Sequence, residues 1–204
     1  MGLLSRAVSI TRYRVEGKLK KPILETMARC LKEHTLSEIE GDVSDKIVGW
    51  TSFDRPFEPD FKGSSYVMGT HFVFSLRIDK RTIPAKLLKK HCAIETAKRL
   101  AESGRPYVSR EEKNMIMDHV RNVLTLRIPA TPHVHDLIWS YEDASLWFFT
   151  TQKAANEELE TLFLKSFGLS LIRLFPYTSA DLAMDLSGQQ RDILLTLDPT
   201  NFSE

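Results

Sequence analysis

The sequence is poor in the residues that pin small proteins chemically. Only two cysteines occur in 204 residues, Cys30 and Cys92, with no Cys-x-x-Cys or Cys/His spacing around either. That excludes a disulfide framework and a zinc-finger pattern, and leaves two reduced thiols, each read as a small buried apolar side chain. No stretch approaches the roughly 18 consecutive apolar residues that cross a bilayer. The basic N-terminus lacks the apolar run and small-residue cleavage site of an export signal. A cytoplasmic protein without membrane contact is expected. Glycine is scarce too, nine in all, and forms no phosphate cradle. Gly63-Ser64-Ser65 is not followed by Gly-Lys-Ser/Thr, so ATP use is not expected. A chain of this length buries a core without help from metals, and no cofactor is expected.

Net charge is a further near-absence, +1 in total, but that sum conceals a segregation. Between Arg77 and Arg127 stand thirteen Lys or Arg (Arg77, Lys80, Arg81, Lys86, Lys89, Lys90, Lys98, Arg99, Arg105, Arg110, Lys113, Arg121, Arg127) against six acids (Asp79, Glu95, Glu102, Glu111, Glu112, Asp118). The local charge is therefore +7, and the rest of the chain carries −6. A basic face on an acidic body is what a polyanion such as a nucleic acid selects. A pair of well-solvated helices would account for the same charges without a partner.

Apolar spacing points to an α+β protein, with antiparallel or mixed sheets and packed helices in two similar halves around a central basic helical region. The expected parts are a strand–helix–strand unit over residues 1–65, central strands and basic helices over 66–131, a hairpin–helix–strand unit over 132–186 and a loose polar tail over 187–204, all one continuous unit. Leu4 to Val15 alternates loosely as a strand would, and Pro22 opens a helix carrying Ile23, Met27, Cys30 and Leu31. Ile47 to Trp50 reads as a short strand leading to an irregular loop, Ser52 to Ser65. Tyr66 to Ile83 reads as two strands or one long bent strand.

Pro84 then begins a helix that runs to Ser103, with Gly104 as its stop. On it Lys86, Lys89 and Lys90 fall at i, i+3 and i+4 and share one side, with Leu87, Ile94 and Ala97 expected to face the body. A second helix is announced by the capping-box pattern Ser109 to Glu112, with Ile116, Met117, Val120, Val123 and Leu124 as its inward stripe and Arg110, Asn114 and Arg121 opposite. Beyond Pro129 and Pro132 a hairpin is expected around Glu142-Asp143. It is followed by a helix with Ala155, Leu159, Leu162, Phe163 and Ser166 inward, Gly168 as stop, and a buried strand Leu169 to Phe175 closed by Pro176.

Chemistry of other kinds finds little support. A nuclease needs clustered carboxylates for divalent metals. The candidates, Glu38, Glu40, Asp42 and Asp45 with Glu58 and Asp60 next, lie in expected loops where acids are ordinarily just solvated. His133 and His135 would share a strand face but have no third ligand nearby, and read as surface or edge-strand residues. His91 and Cys92 diverge on their helix, which excludes a Cys/His dyad. Trp50, Trp139, Trp147 and Phe148 could stack on bases, but their strand contexts favour core or dimer contacts. Binding to duplex backbone rather than to single strands is thus expected.

The order of features resembles a known family. Gly49-Trp50, the strand with Leu76-Arg77, Pro84 opening a lysine-bearing helix, Glu112-Lys113, Asp118, Val120, Leu124, Arg127 and Trp139 follow one another. The helix from Ala154 and the strand from Gly168-Leu169 to Pro176 complete the series. Together they resemble the bacterial recombination-associated protein RdgC family, also labelled as exonucleases, over roughly Leu4 to Asp181. The resemblance implies a homodimer, open as a clamp or closed as a ring, that surrounds double-stranded DNA with a basic wall without reading its sequence. It further implies nucleoid association and control of RecA recombinase access, hence modulation of recombination and replication. Lys113 and Arg127 fall at matched positions. Lys86, Lys89 and Lys90 match as a lysine-bearing helix, and Arg121, Lys98, Arg99 and Arg105 are candidates by charge. The expected mechanism is occupancy of DNA rather than catalysis. A metal-dependent exonuclease and a module for an acidic protein partner are the alternatives.

Overall fold

The computed structural model describes residues 2–36, 44–63, 65–184 and 186–198. Along the chain come β1 (Thr11–Glu16), α1 (Ile23–Glu33), β2 (Lys46–Thr51), β3 (Val67–Met68), β4 (His71–Lys80), α2 (Ala85–Ser103) and α3 (Arg110–Arg127). These are followed by β5 (Thr131–Ser140), β6 (Ser145–Phe148), α4 (Lys153–Phe167), β7 (Ser170–Leu174), α5 (Pro176–Ala183) and α6 (Gly188–Thr196). The fold is α+β. All seven strands belong to one sheet of order β2-β4-β5-β6-β1-β7, with β3 pairing β4 beyond the end of β2. Every neighbouring pair is antiparallel. The two strand–helix–strand ends, β1–α1–β2 and β6–α4–β7, meet in this sheet, with β1 beside β6 and with β2 and β7 at its edges.

Alternation along the strands decides which face is covered. Tyr13, Trp50, Phe74, Leu76, Leu137, Leu146 and Phe148 are fully buried on one face, beneath Met27 and Leu31 of α1 and Leu159 and Phe163 of α4. Aromatic rings dominate that layer. Trp139 meets Phe163 and Phe167 with centroids 5.0 and 5.4 Å away, and Trp50 meets Phe74 edge-on at 5.1 Å. Such contacts add about 1 kcal/mol each beyond area burial. The Trp50 indole N–H is satisfied by Ser166 Oγ at 2.8 Å, so burying it costs no lost hydrogen bond. On the opposite face the loop after β2 lies over β4. Arg77 grips Asp79 through Nε (2.7 Å) and Nη2 (2.6 Å), reaches the Pro56 carbonyl at 3.3 Å and sits over the Phe57 ring at 5.2 Å. Arg77 therefore spends its charge inside the fold.

Several expectations are corrected. Residues 2–10 are not part of the first strand, because β6 ends at Phe148 opposite Thr11 and leaves them nothing to pair with. Their alternating Leu4, Val8 and Ile10 are exposed instead. β7 is not buried. It is an edge strand with β1 as its sole neighbour among the described residues, and its inner residues are half-exposed. The chain beyond Pro176 is helical. Phe175 N–H donates to Thr178 Oγ1 (2.9 Å) at the start of α5, and Ser187 with Gln190 forms a capping box on α6. Arg191 ties α6 to Asp181 of α5 at 2.7 Å. Polar composition concealed these two short helices.

Two predictions arise from the packing. An added Cβ at Gly49 would lie 2.5 Å from the backbone of Leu36, where residues 34–36 hydrogen-bond alongside Trp50. Gly49→Ala should therefore cost about 1–3 kcal/mol in denaturant unfolding. His135 is buried against Phe148 (centroids 5.8 Å), and burial, helped by His133, holds its imidazole below the ordinary range. The unfolded chain then binds the proton first. Stability present above the unfolded value of about 6.5 should be lost as pH falls below it, with the thermal midpoint dropping less on acidification in His135→Gln than in the native chain.

Candidate nucleic-acid interface

Helices α2 and α3 form an arm inserted between β4 and β5. They have their own small core, Val108, Ile116, Val120 and Leu124, flanked by Leu87, Leu88, Cys92 and Leu100. No residue of α2 is buried. The expected inward stripe of α2 is corrected accordingly: Ile94 and Ala97 are exposed, Leu87 is half-buried, and Leu88, Cys92 and Leu100 supply the packing. Met117 on α3 is likewise exposed. The helices pack on one another around a core of their own, so of the stripe expected to face the body Leu87 is packed while Ile94 and Ala97 face solvent. Ile94 and Met115 leave apolar side chains on the arm's surface.

Local chemistry sets the ends of both helices. α2 ends at Gly104, whose φ of 64° is the left-handed cap that glycine takes without a Cβ penalty. α3 begins with the full capping box. Ser109 Oγ accepts from the Glu112 N–H at 3.1 Å, and the Glu112 carboxylate accepts from the Ser109 N–H at 2.9 Å. Glu112 also takes Arg105 at 2.6 Å. The Arg105 hydrogen bond, followed by the Ser109 N–H, holds its carboxyl down to about 2. Arg105 thus serves to close the loop between the helices.

The remaining candidates stand in solvent. Lys86, Lys89, Lys90, Lys98, Lys113, Arg121 and Arg127 are exposed and Arg99 is half-buried; none of them forms an ion pair or side-chain hydrogen bond with the described residues. Because α2 and α3 are antiparallel, the lysine triplet lies at the same end of the arm as Arg121 and Arg127, near the sheet. Lys98, Arg99 and Lys113 lie toward the tip. An arm of this length spans about 28 Å, or roughly eight base steps of duplex.

α3 follows the helix dipole, with Glu111 and Glu112 in its first turn and Arg127 in its last. α2 violates it: no acid occupies its first turn, and three lysines crowd its positive end. That arrangement costs free energy unless an anion arrives, and local rules are broken at functional sites more often than elsewhere.

Other candidate chemistry is dispersed. Glu38, Glu40 and Asp42 lie outside the described residues. Asp45 and Glu58 are exposed, and Asp60 accepts from the Lys62 N–H at 2.9 Å. Among the described residues no three His, Cys, Asp or Glu gather as a metal site would require. Cys30 is buried, which pushes its thiol up, and Cys92 packs inside the arm. Trp50, Trp139 and Phe148 are core residues, but Trp147 is 44 % exposed. Among the described residues no helix is long and apolar enough to cross a membrane.

No family model matches the chain, and no curated protein matches it.

Loss of the cap should loosen the arm alone. Ser109→Ala is expected to cost about 1 kcal/mol, read as faster amide exchange over the first turn of α3 with the exchange of β4 and β5 unchanged.

Proposed function

We propose that the α2–α3 arm binds double-stranded DNA without sequence preference, holding phosphates with Lys86, Lys89 and Lys90 at the arm's base and with Lys113, Arg121 and Arg127 along α3. Lys98 and Arg99 extend the interface toward the tip. The lysine triplet at the positive end of α2 carries this reading, since an anion there would offset both the mutual repulsion of the lysines and their unfavourable place on the helix dipole. A phosphate there meets both the ammonium groups and the dipole of the helix. Exposed, unpaired cations on a projecting arm favour backbone contacts, which supply affinity and position but no sequence information. The resemblance to the RdgC family extends the proposal to a homodimeric clamp or ring on DNA in the nucleoid, acting by occupancy to restrict RecA. In that arrangement the arms of two chains would provide the basic wall.

Fluorescence anisotropy of a random-sequence duplex across a salt series provides the test. Lys86→Glu/Lys89→Glu/Lys90→Glu should weaken binding at least about tenfold for every sequence alike, with the log–log salt slope shallower by about 0.9 for each phosphate that is no longer neutralised. A weakening confined to one sequence, or none at all, contradicts the reading.

A further inference from the structure

The sheet has a second face, and among the described residues its β6–β1–β7 side carries no helix layer comparable to α1 and α4. There the strands set side chains in register. Trp147 of β6 lies between Ile138 of β5 and Arg12 of β1, and in the next row Ser145 lies between Ser140 and Arg14. Trp50 and Trp139 are buried in the core, whereas Trp147 presents its ring to solvent. Arg12 and Arg14 are exposed and make no ion pair with the described residues.

Two adjoining cavities flank this row. One, of about 340 Å³, is walled by Leu3, Met68, Ile138 and Trp147, with His71 and Ser140 on its polar side. The other, of about 420 Å³, is lined by Arg12, Arg14, Leu174 and the Ser179 and Leu182 of α5. Asp143 and Ser145 border both. The outer wall is held in place: the Leu3 N–H donates to Asp136 Oδ2 at 2.7 Å, and Ser75 donates to the other oxygen of the same carboxylate at 2.7 Å.

We infer that this face binds single-stranded nucleic acid, with an unpaired base against Trp147 in the apolar cavity and its neighbouring phosphates on Arg12 and Arg14. A half-exposed indole beside an apolar recess suits the flat face of a base, which a duplex conceals within its stack. The two arginines are i, i+2 on one strand, roughly 7 Å apart, a repeat close to that of successive phosphates in an extended strand. Guanidinium groups hold phosphate oxygens in pairs. Asp143 accepts the Ser140 hydroxyl at 2.6 Å and offers a carboxylate to an N–H on the edge of a base, such as the ring N–H of thymine. The same acid opposes adhesion to an anionic lipid surface, for which two cations are in any case few. Ile138 is seven residues along β5 from the arm's attachment at Thr131, roughly 23 Å, so the site is separate from the duplex-binding arm and stands independently of that proposal.

The test uses the intact chain and a short oligothymidylate, followed by tryptophan fluorescence. Binding should quench the exposed indole. Trp147→Ala should weaken binding about 5- to 100-fold, the worth of one stacked base, and Trp147→Phe should restore most of it. Arg12→Gln/Arg14→Gln, which alters only exposed side chains, should weaken binding and flatten its salt dependence even if Trp147→Ala fails to fold. The triple-lysine variant should keep oligothymidylate binding while losing duplex, and Arg12→Gln/Arg14→Gln should do the reverse. The inference is overturned by unchanged oligothymidylate binding in both sheet variants, by its loss in the lysine variant alone, by equal affinity for thymidine monophosphate, or by preference for anionic phospholipid vesicles.

Discussion

The Tyr13 hydroxyl, buried beneath α4, lies within hydrogen-bonding distance of Asn156 Oδ1 (2.6 Å) and Glu160 Oε1 (3.0 Å), and Glu160 in turn holds Arg173 of β7 at 2.8 Å. This one cluster joins β1 to α4 and β7. It exists because β6 and β7 are both antiparallel to β1, so that α4 has to pass over β1 to connect them. Burial, reinforced by the Glu160 carboxylate, pushes the phenol well above its usual range, and its proton is retained across the working pH. Without β1 in that position the aromatic layer under α4 would lose Tyr13 and its neighbour Val15, and β7 would have no partner. Removal of one member of a buried network leaves the others unsatisfied, at a cost larger than the bond itself is worth.

Closing the core in this way uses the amphipathic helices α1 and α4 on one side of the sheet. The loop following β2 covers part of the other side through Arg77, and the rest is left to Trp147, Arg12 and Arg14. The second helical pair is not used to complete the layer. It stands off the sheet with a core of its own, which is why most of its cations reach solvent instead of being absorbed into an ion pair as Arg77 is, Arg105 in the loop between the helices being paired with Glu112. Architecture and charge are thus coupled: Arg77 and Arg173 on the sheet are held in ion pairs, whereas the lysines of α2 stay in solvent.

Much of the framework was legible because its signals are local. Gly104 and Gly168 stop helices where φ has to be positive, Ser109 and Glu112 cap one another, and the inward residues of α4 follow a clean helical period. What a helix packs against is not written in its own period. The stripe of α2 could be found, but the choice of Ile94 over Leu88 and Cys92 depended on where α3 lies. Trp147 is a similar case, since its alternation places it on one face of β6 but does not say that the face is bare. Arg12 and Arg14 carried no signal at all, lying far from the basic island, and only the pairing of β1 with β6 brings them beside an aromatic ring. The helices after Pro176 were missed because polar residues form short capped helices as readily as loose tails.

The place where the arm joins the sheet has a further consequence. Lys80 ends β4 directly opposite Thr131, which begins β5, so the chain leaves and re-enters at a single cross-strand pair. To the sheet, residues 81–130 are topologically a turn. A tight two-residue connection would satisfy the same pairing, and neither the order nor the register of the strands depends on what lies between. The pairing of β4 with β5 therefore sets no length or charge for the segment, and the arm can be altered as a tool is changed in a handle while the strand register beneath it stays fixed.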